Sequence, residues 1–151
     1  MEKATLSESN FELWRLISRA NHSILVHRQR ELRKNLIPVR QLWVLIAIKE
    51  LGTTATLAEV AKQLERETSV ISSQTKLMEK DGLIKRIKNT PKSNLLTLEL
   101  TKKGRDIIKA NSHSESIQKI LGSLSQDERQ QLGSILNKVM VKSQKYRPTK
   151  S

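Results

Sequence analysis

Between Ser69 and Lys76 the chain sets Ser69, Ser72, Ser73, Gln74 and Lys76, a run of small hydroxyls, one amide and one ammonium. Such groups on a helix offer donors and acceptors to a polar partner without bulk; glutamine suits adenine, and lysine suits guanine or a phosphate. Farther along, Lys88, Lys92 and Asn94 form a second polar and basic set. Nothing comparable points to catalysis. The histidines are His22, His27 and His113. Five positions apart, His22 and His27 share a helical face poorly, and no carboxylate pair completes a metal set, so ordinary, partly buried histidines are expected. With no cysteine in the chain there is no disulfide, thiolate nucleophile or Cys-based zinc site. The glycines, Gly52, Gly82, Gly104, Gly122 and Gly133, form no phosphate-binding loop. The expectation is a non-enzyme with no metal and no cofactor.

Charge says more about the partner. The 151 residues carry a formal +13 at pH 7, and clustered lysine and arginine gain from releasing the counterions condensed on a polyanion. The charge is local: Lys85, Arg86, Lys88, Lys92, Lys102, Lys103 and Arg105 face only Glu99 over that stretch. Arg28, Arg30, Arg33, Lys34 and Arg40 against Glu31 make a second basic run at the end of the first helical region, either facing a phosphate backbone or simply solvated. No stretch approaches the ~20 apolar residues that span a bilayer. Met1 to Asn10 lacks the pattern of a secretory signal, so a cytoplasmic protein is expected.

The elements that must position these residues are legible from their ends. Thr5 with Glu8, Thr56 with Glu59 and Ser125 with Glu128 have capping-box spacing, which marks helix starts. Pro38 suits a helix's first turn, and Gly52 and Gly82 suit helix ends. Helices are predicted over 5–35, 38–51, 57–64 and 69–81. In the last of these, Val70, Ile71, Leu77 and Met78 supply the apolar residues and leave the polar set outward. After Gly82 the period becomes strand-like over 83–88 and 95–100, and the Asn89 to Asn94 segment between them is rich in turn formers, giving a hairpin with a basic tip. Thr101 then caps a long helix running through Ile107, Ile108, Ile117, Ile120 and Leu121, and a last helix covers 125–143. Tyr146 to Ser151 reads as a frayed basic tail. No repeat or linker interrupts the chain.

A short helix, a tight joint, a second helix with small polar and basic side chains, and a basic hairpin define a winged helix-turn-helix, here over 38–100. The fold class is therefore mainly α (α+β), a single domain over 1–151, and the polar set and wing are candidates to contact double-stranded DNA. A basic winged-helix module for structured RNA or a protein is the alternative, since fold alone does not fix function. Aromatic scarcity argues against stacking on single-stranded RNA.

The sequence resembles the MarR (multiple antibiotic resistance regulator) family over nearly its whole length. The resemblance lies in Leu57-Ala58-Glu59-Val60-Ala61, in Leu77-Met78-Glu79-Lys80-Asp81-Gly82-Leu83-Ile84 and in Leu98-Glu99-Leu100-Thr101-Lys102-Lys103-Gly104. It implies a homodimer joined through helices at 5–35 and 101–143, repressing transcription from a palindromic operator, often with release by a small-molecule effector. Trp14 and Trp43 are the residues that would line an effector cavity between the first two helices. The sequence departs from the family in the wing. Members carry Asp-x-Arg there, with the arginine in the minor groove, whereas this chain has Lys92 and Asn94 at those positions. Lysine adds phosphate affinity but lacks arginine's planar fork, so base selection is expected to fall on the second helix of the motif.

Overall fold

The computed structural model describes residues 9–35, 37–92 and 95–146. In chain order the elements are α1 (Asn10–Lys34), α2 (Val39–Leu51), a 3-10 turn (Gly52–Thr54), α3 (Leu57–Gln63), α4 (Thr68–Lys80), β1 (Ile84–Lys88), β2 (Leu96–Leu100), α5 (Lys102–Ala110), α6 (Glu115–Leu121) and α7 (Gln126–Lys145). The fold is mainly helical with one small sheet, and α3, α4 and the β1–β2 hairpin make a winged helix-turn-helix. The chain divides into two compact units, 1–114 and 115–151.

In the first unit α2 is the centre of the core. Its Leu42, Val44, Leu45, Ala47 and Ile48 are buried, together with Leu32 of α1, Val60 and Ala61 of α3, Ile71 and Met78 of α4, Ile84 and Leu98 of the hairpin, and Ile108 of α5. Several faces of α2 are covered at once, which is why its sequence is apolar with little amphipathic pattern. Trp43 is the exception, at 55% exposure.

β1 and β2 pair antiparallel, with Ile84 opposite Leu100 and Lys88 opposite Leu96. The segment before α3 extends this ribbon: Leu98 donates its N–H to the Ala55 carbonyl at 2.7 Å, and Thr56 bridges Thr97. The root of the wing is fixed by Thr101. Its hydroxyl accepts the Gly104 N–H at 3.1 Å as an N-cap and lies 2.6 Å from the Gly82 carbonyl and 2.9 Å from that of Leu83 as donor. Gly104 is required by the same approach, because a Cβ there would collide with the Leu83 carbonyl. Gly82, at φ +74°, makes the left-handed turn between α4 and β1.

Some expected boundaries change. The Thr5–Glu8 box lies outside the described residues; α1 begins at Asn10, where Ser9 accepts the Glu12 N–H. The long helix expected after Thr101 is two helices. α5 stops at Ala110 because Asn111, buried at the C-cap, turns its side chain into local and tertiary bonds. Its Nδ2 donates to the Ile107 carbonyl (2.9 Å), its Oδ1 accepts from Asn35 (2.7 Å), and its own carbonyl accepts from the Arg28 guanidinium (2.6 Å). Arg28 also pairs with Glu31 at 3.1 Å, and Ser114 donates to the same Glu31 oxygen at 2.5 Å. Arg28 is thus a half-buried structural cation and no part of a solvated basic run. In the second unit, Ser125 and Glu128 form the expected reciprocal capping box at the start of α7.

Candidate nucleic-acid interface

α3 and α4 are set by the joint between them. Thr56 caps α3 by accepting the Glu59 N–H. After Leu64 the chain reverses through Glu65 at φ +51°, and Arg66 donates its N–H to the Ala61 carbonyl at 2.9 Å. α4 then starts at Thr68 without a side-chain cap and seats itself by burying Ile71, Thr75 and Met78. Thr75 is tolerated in the core because its hydroxyl donates to the Ser72 carbonyl at 3.1 Å.

That choice of buried residues rotates α4 relative to the sequence expectation. With Ile71, Thr75 and Met78 inward, the outward stripe comprises Ser69, Val70, Ser73, Lys76, Leu77 and Lys80, all exposed. Val70 (51%) and Leu77 (52%), expected among the residues that seat the helix, stand on this surface. Ser72 and Gln74, expected outward, sit half-buried on its two flanks. The Gln74 side-chain nitrogen is shielded from solvent and has no hydrogen-bond partner among the described residues. Ser72 faces the wing instead, where the Arg86 guanidinium reaches its hydroxyl at 3.5 Å. The missed signal was Thr75, one helical turn after Ile71 and three residues before Met78; a period drawn through those three leaves Val70 outside.

Several cations of the hairpin and of the helix after it have neighbours that fix their positions while their charge stays at the surface. Lys85 lies opposite Glu99 in the strand register, Lys103 donates to the Asp81 carbonyl (2.9 Å), Arg105 to the Leu100 carbonyl (3.0 Å), and Lys102 pairs with Asp106 (3.0 Å). Lys88 at the end of β1 and Lys92 in the connecting turn remain exposed, with no ion pair among the described residues. Asn94 lies outside the described residues. The hairpin is tied to α4 by the Glu79 carboxylate, which accepts the Arg86 N–H at 2.9 Å.

The expected effector residues are not brought together. Trp14 is 60% exposed and tilted against Phe11, with ring centres 5.5 Å apart. Trp43 lines an open groove of about 790 Å³ with Leu25 and Gln29 of α1 and with Arg33, Arg40 and Arg66. His22, His27 and His113 are exposed rather than partly buried, and the described residues hold no cluster of His, Asp or Glu fit for a metal ion.

The organohalide-sensing transcriptional regulator RdhR, in its 2,4-dichlorophenol-bound form, superposes with a TM-score of 0.78 at 23% identity, covering 100% of this chain and 99% of that one. A MarR mutant from E. coli complexed with operator DNA gives 0.76 at 23% identity, over 84% of this chain and 92% of its own. The chain has the MarR winged-helix fold. A MarR-family protein from Bacillus stearothermophilus agrees, at 0.72 and 21% identity over 96% of this chain and 99% of its own. No protein-family model and no curated protein matches the sequence. On this fold α4 is the second helix of the helix-turn-helix and β1–β2 is the wing. Among the described residues no helix is long and apolar enough to cross a membrane.

Proposed function

We propose that the protein is a sequence-specific, double-stranded DNA-binding transcription regulator that acts as a homodimer on a palindromic operator, most simply as a repressor. The observation that carries this reading is the outward stripe of α4. Small hydroxyls and two lysines stand on this stripe with Val70 and Leu77, flanked by a hairpin whose exposed cations among the described residues include Lys85, Lys88 and Lys92. A helix of this kind fits the major groove and offers groups to base edges, while the lysines and wing supply phosphate contacts. Ser69, Ser73 and Lys76 are the principal base-reading candidates, with Ser72 and Gln74 supporting from the flanks, Lys88 and Lys92 on the backbone, and Asn94, outside the described residues, kept as a candidate from the sequence.

The dimer is supported by apolar surface that neither unit covers for itself. Phe11, Leu13, Trp14, Leu16 and Ile17 of α1 are exposed, as are Leu132, Ile135, Leu136, Val139 and Met140 of α7. α7 buries no residue. A second copy covering these faces gives a two-fold pair, whose symmetry a palindromic site would match. Of the two tryptophans expected to line an effector site, Trp43 is the one we retain: three guanidiniums beside its indole and Leu25 would suit an anion with an apolar body.

The test is a competition titration in which a labelled duplex is challenged with unlabelled duplex, hairpin RNA and single strands at equal nucleotide concentration. Duplex DNA is expected to displace the probe well below the others. Preferential displacement by hairpin RNA would overturn the reading in favour of an RNA-binding module.

A further inference from the structure

We infer that Val70 reads the C5-methyl group of a thymine in the operator half-site; this rests on the DNA-binding reading above and names the base chemistry it selects. Val70 stands at half exposure, outside the inward face that Ile71, Thr75 and Met78 form. Its neighbours along the stripe are Ser69 one residue before and Ser73 one turn after, with Lys76, Leu77 and Lys80 farther along and Glu67 at the N-cap, all exposed. Val70 and Leu77, two turns apart among hydroxyls and lysines, are too little apolar surface to suit an apolar protein partner, and the lysines of the stripe and wing select a polyanion. In the major groove the apolar feature available to such a residue is the thymine methyl. Val70 also stands in the first turn of α4, the end of a recognition helix that approaches base edges.

Ser73 sharpens the choice. Its hydroxyl donates to the Ser69 carbonyl at 3.1 Å, so the proton is committed to the helix and the oxygen faces outward as an acceptor. An acceptor beside a methyl-seeking side chain matches the major-groove edge of A·T, which shows the adenine N6 amino donor and the thymine methyl together. Side chains three apart on a helix are neighbours, so the two features are read at one base pair or at adjacent ones.

The inference is tested on duplexes enriched from a random pool by the full-length protein. In the enriched sequence each thymine is replaced in turn by deoxyuridine, which removes the methyl and leaves pairing intact. The wild-type protein is expected to lose about threefold to fivefold in affinity at one thymine per half-site, the worth of roughly one buried methyl. Val70→Ala, a surface change in a helix, is expected to show the same loss on thymine DNA and no further loss on deoxyuridine DNA. Leu77→Ala is expected to keep the methyl dependence. A wild-type protein indifferent to every methyl, a dependence that survives in Val70→Ala, or one that disappears in Leu77→Ala would each overturn this assignment while leaving DNA binding intact. Failure to enrich any duplex would overturn the assignment together with the reading beneath it.

Discussion

Glu79 accepts the Arg86 backbone N–H at 2.9 Å, and through this bond the last turn of α4 holds the first strand of the wing. The helix and the hairpin are tied together at this point. Removing the carboxylate leaves the strand N–H to solvent and frees the hairpin to pivot about its root at Thr101. Glu79→Ala is expected to cost about 0.5–1.5 kcal/mol in unfolding free energy. It also removes a negative charge near phosphate, so electrostatics alone would strengthen DNA binding. Loosening of the wing predicts a weaker complex with a faster dissociation rate, and stopped-flow dissociation from duplex DNA separates the two outcomes.

The joint between α3 and α4 holds Glu65 in a left-handed conformation, at φ +51°. A residue with a Cβ pays roughly 1–2 kcal/mol there, offset in a glycine by about 0.5–1 kcal/mol of extra chain entropy. Glu65→Gly is accordingly expected to stabilise the protein by up to about 1 kcal/mol, and thermal unfolding should show Tm raised by a few degrees. A lowered Tm would mean that the side chain, and not the backbone, holds this turn.

At the other end of the wing, Gly104 packs against the Leu83 backbone with no room for a methyl. Because the obstructing atom is a carbonyl oxygen, α5 must shift to admit one. Gly104→Ala is expected to destabilise by about 1–3 kcal/mol despite alanine's better helix propensity, measured by urea unfolding.

Much of this arrangement was legible in the sequence. The caps Thr56, Thr101 and Ser125, the glycine turn at Gly82 and the change of period after it located the winged helix-turn-helix to within a residue or two. What the sequence obscured has two causes. In α4, Ile71, Thr75 and Met78 form the inward face, and a threonine in the core is satisfied by a backbone bond that no hydropathy pattern reports. Counting only apolar residues turned Val70 and Leu77 inward and Gln74 outward. After α5, four poor helix formers, Asn111 to Ser114, marked a break, but its decisive bonds come from Arg28, Glu31 and Asn35, some eighty positions away. Neither the groove at Trp43 nor the exposure of Trp14 could be read from one chain's periodicity, because each depends on how α1 packs on α2.

The uncovered apolar face of α7 predicts the assembly. Sedimentation equilibrium is expected to give twice the 17.3 kDa chain mass. Ile135→Lys, at a position that is 59% exposed in the single chain, is expected to yield a folded monomer with much weakened DNA binding. A wild-type monomer at micromolar concentration would remove the basis for a two-fold complex.

Wing contacts should register as charge. With ~6 to 10 phosphates engaged by the dimer, affinity is expected to fall roughly 10³- to 10⁵-fold between 50 and 200 mM salt. Lys92→Ala should reduce the salt slope by about one contact per subunit and weaken operator and random duplex by similar factors. A loss confined to operators with one type of flanking sequence would show instead that the wing reads groove shape.

The most direct test of the central claim is selection of bound sequences from a random duplex pool, followed by footprinting of the enriched site. Two matching half-sites in inverted orientation are expected, with protection centred about one DNA turn apart, roughly 34 to 36 Å. Enrichment of a single isolated half-site, or of no sequence at all, would contradict a dimeric, sequence-specific regulator.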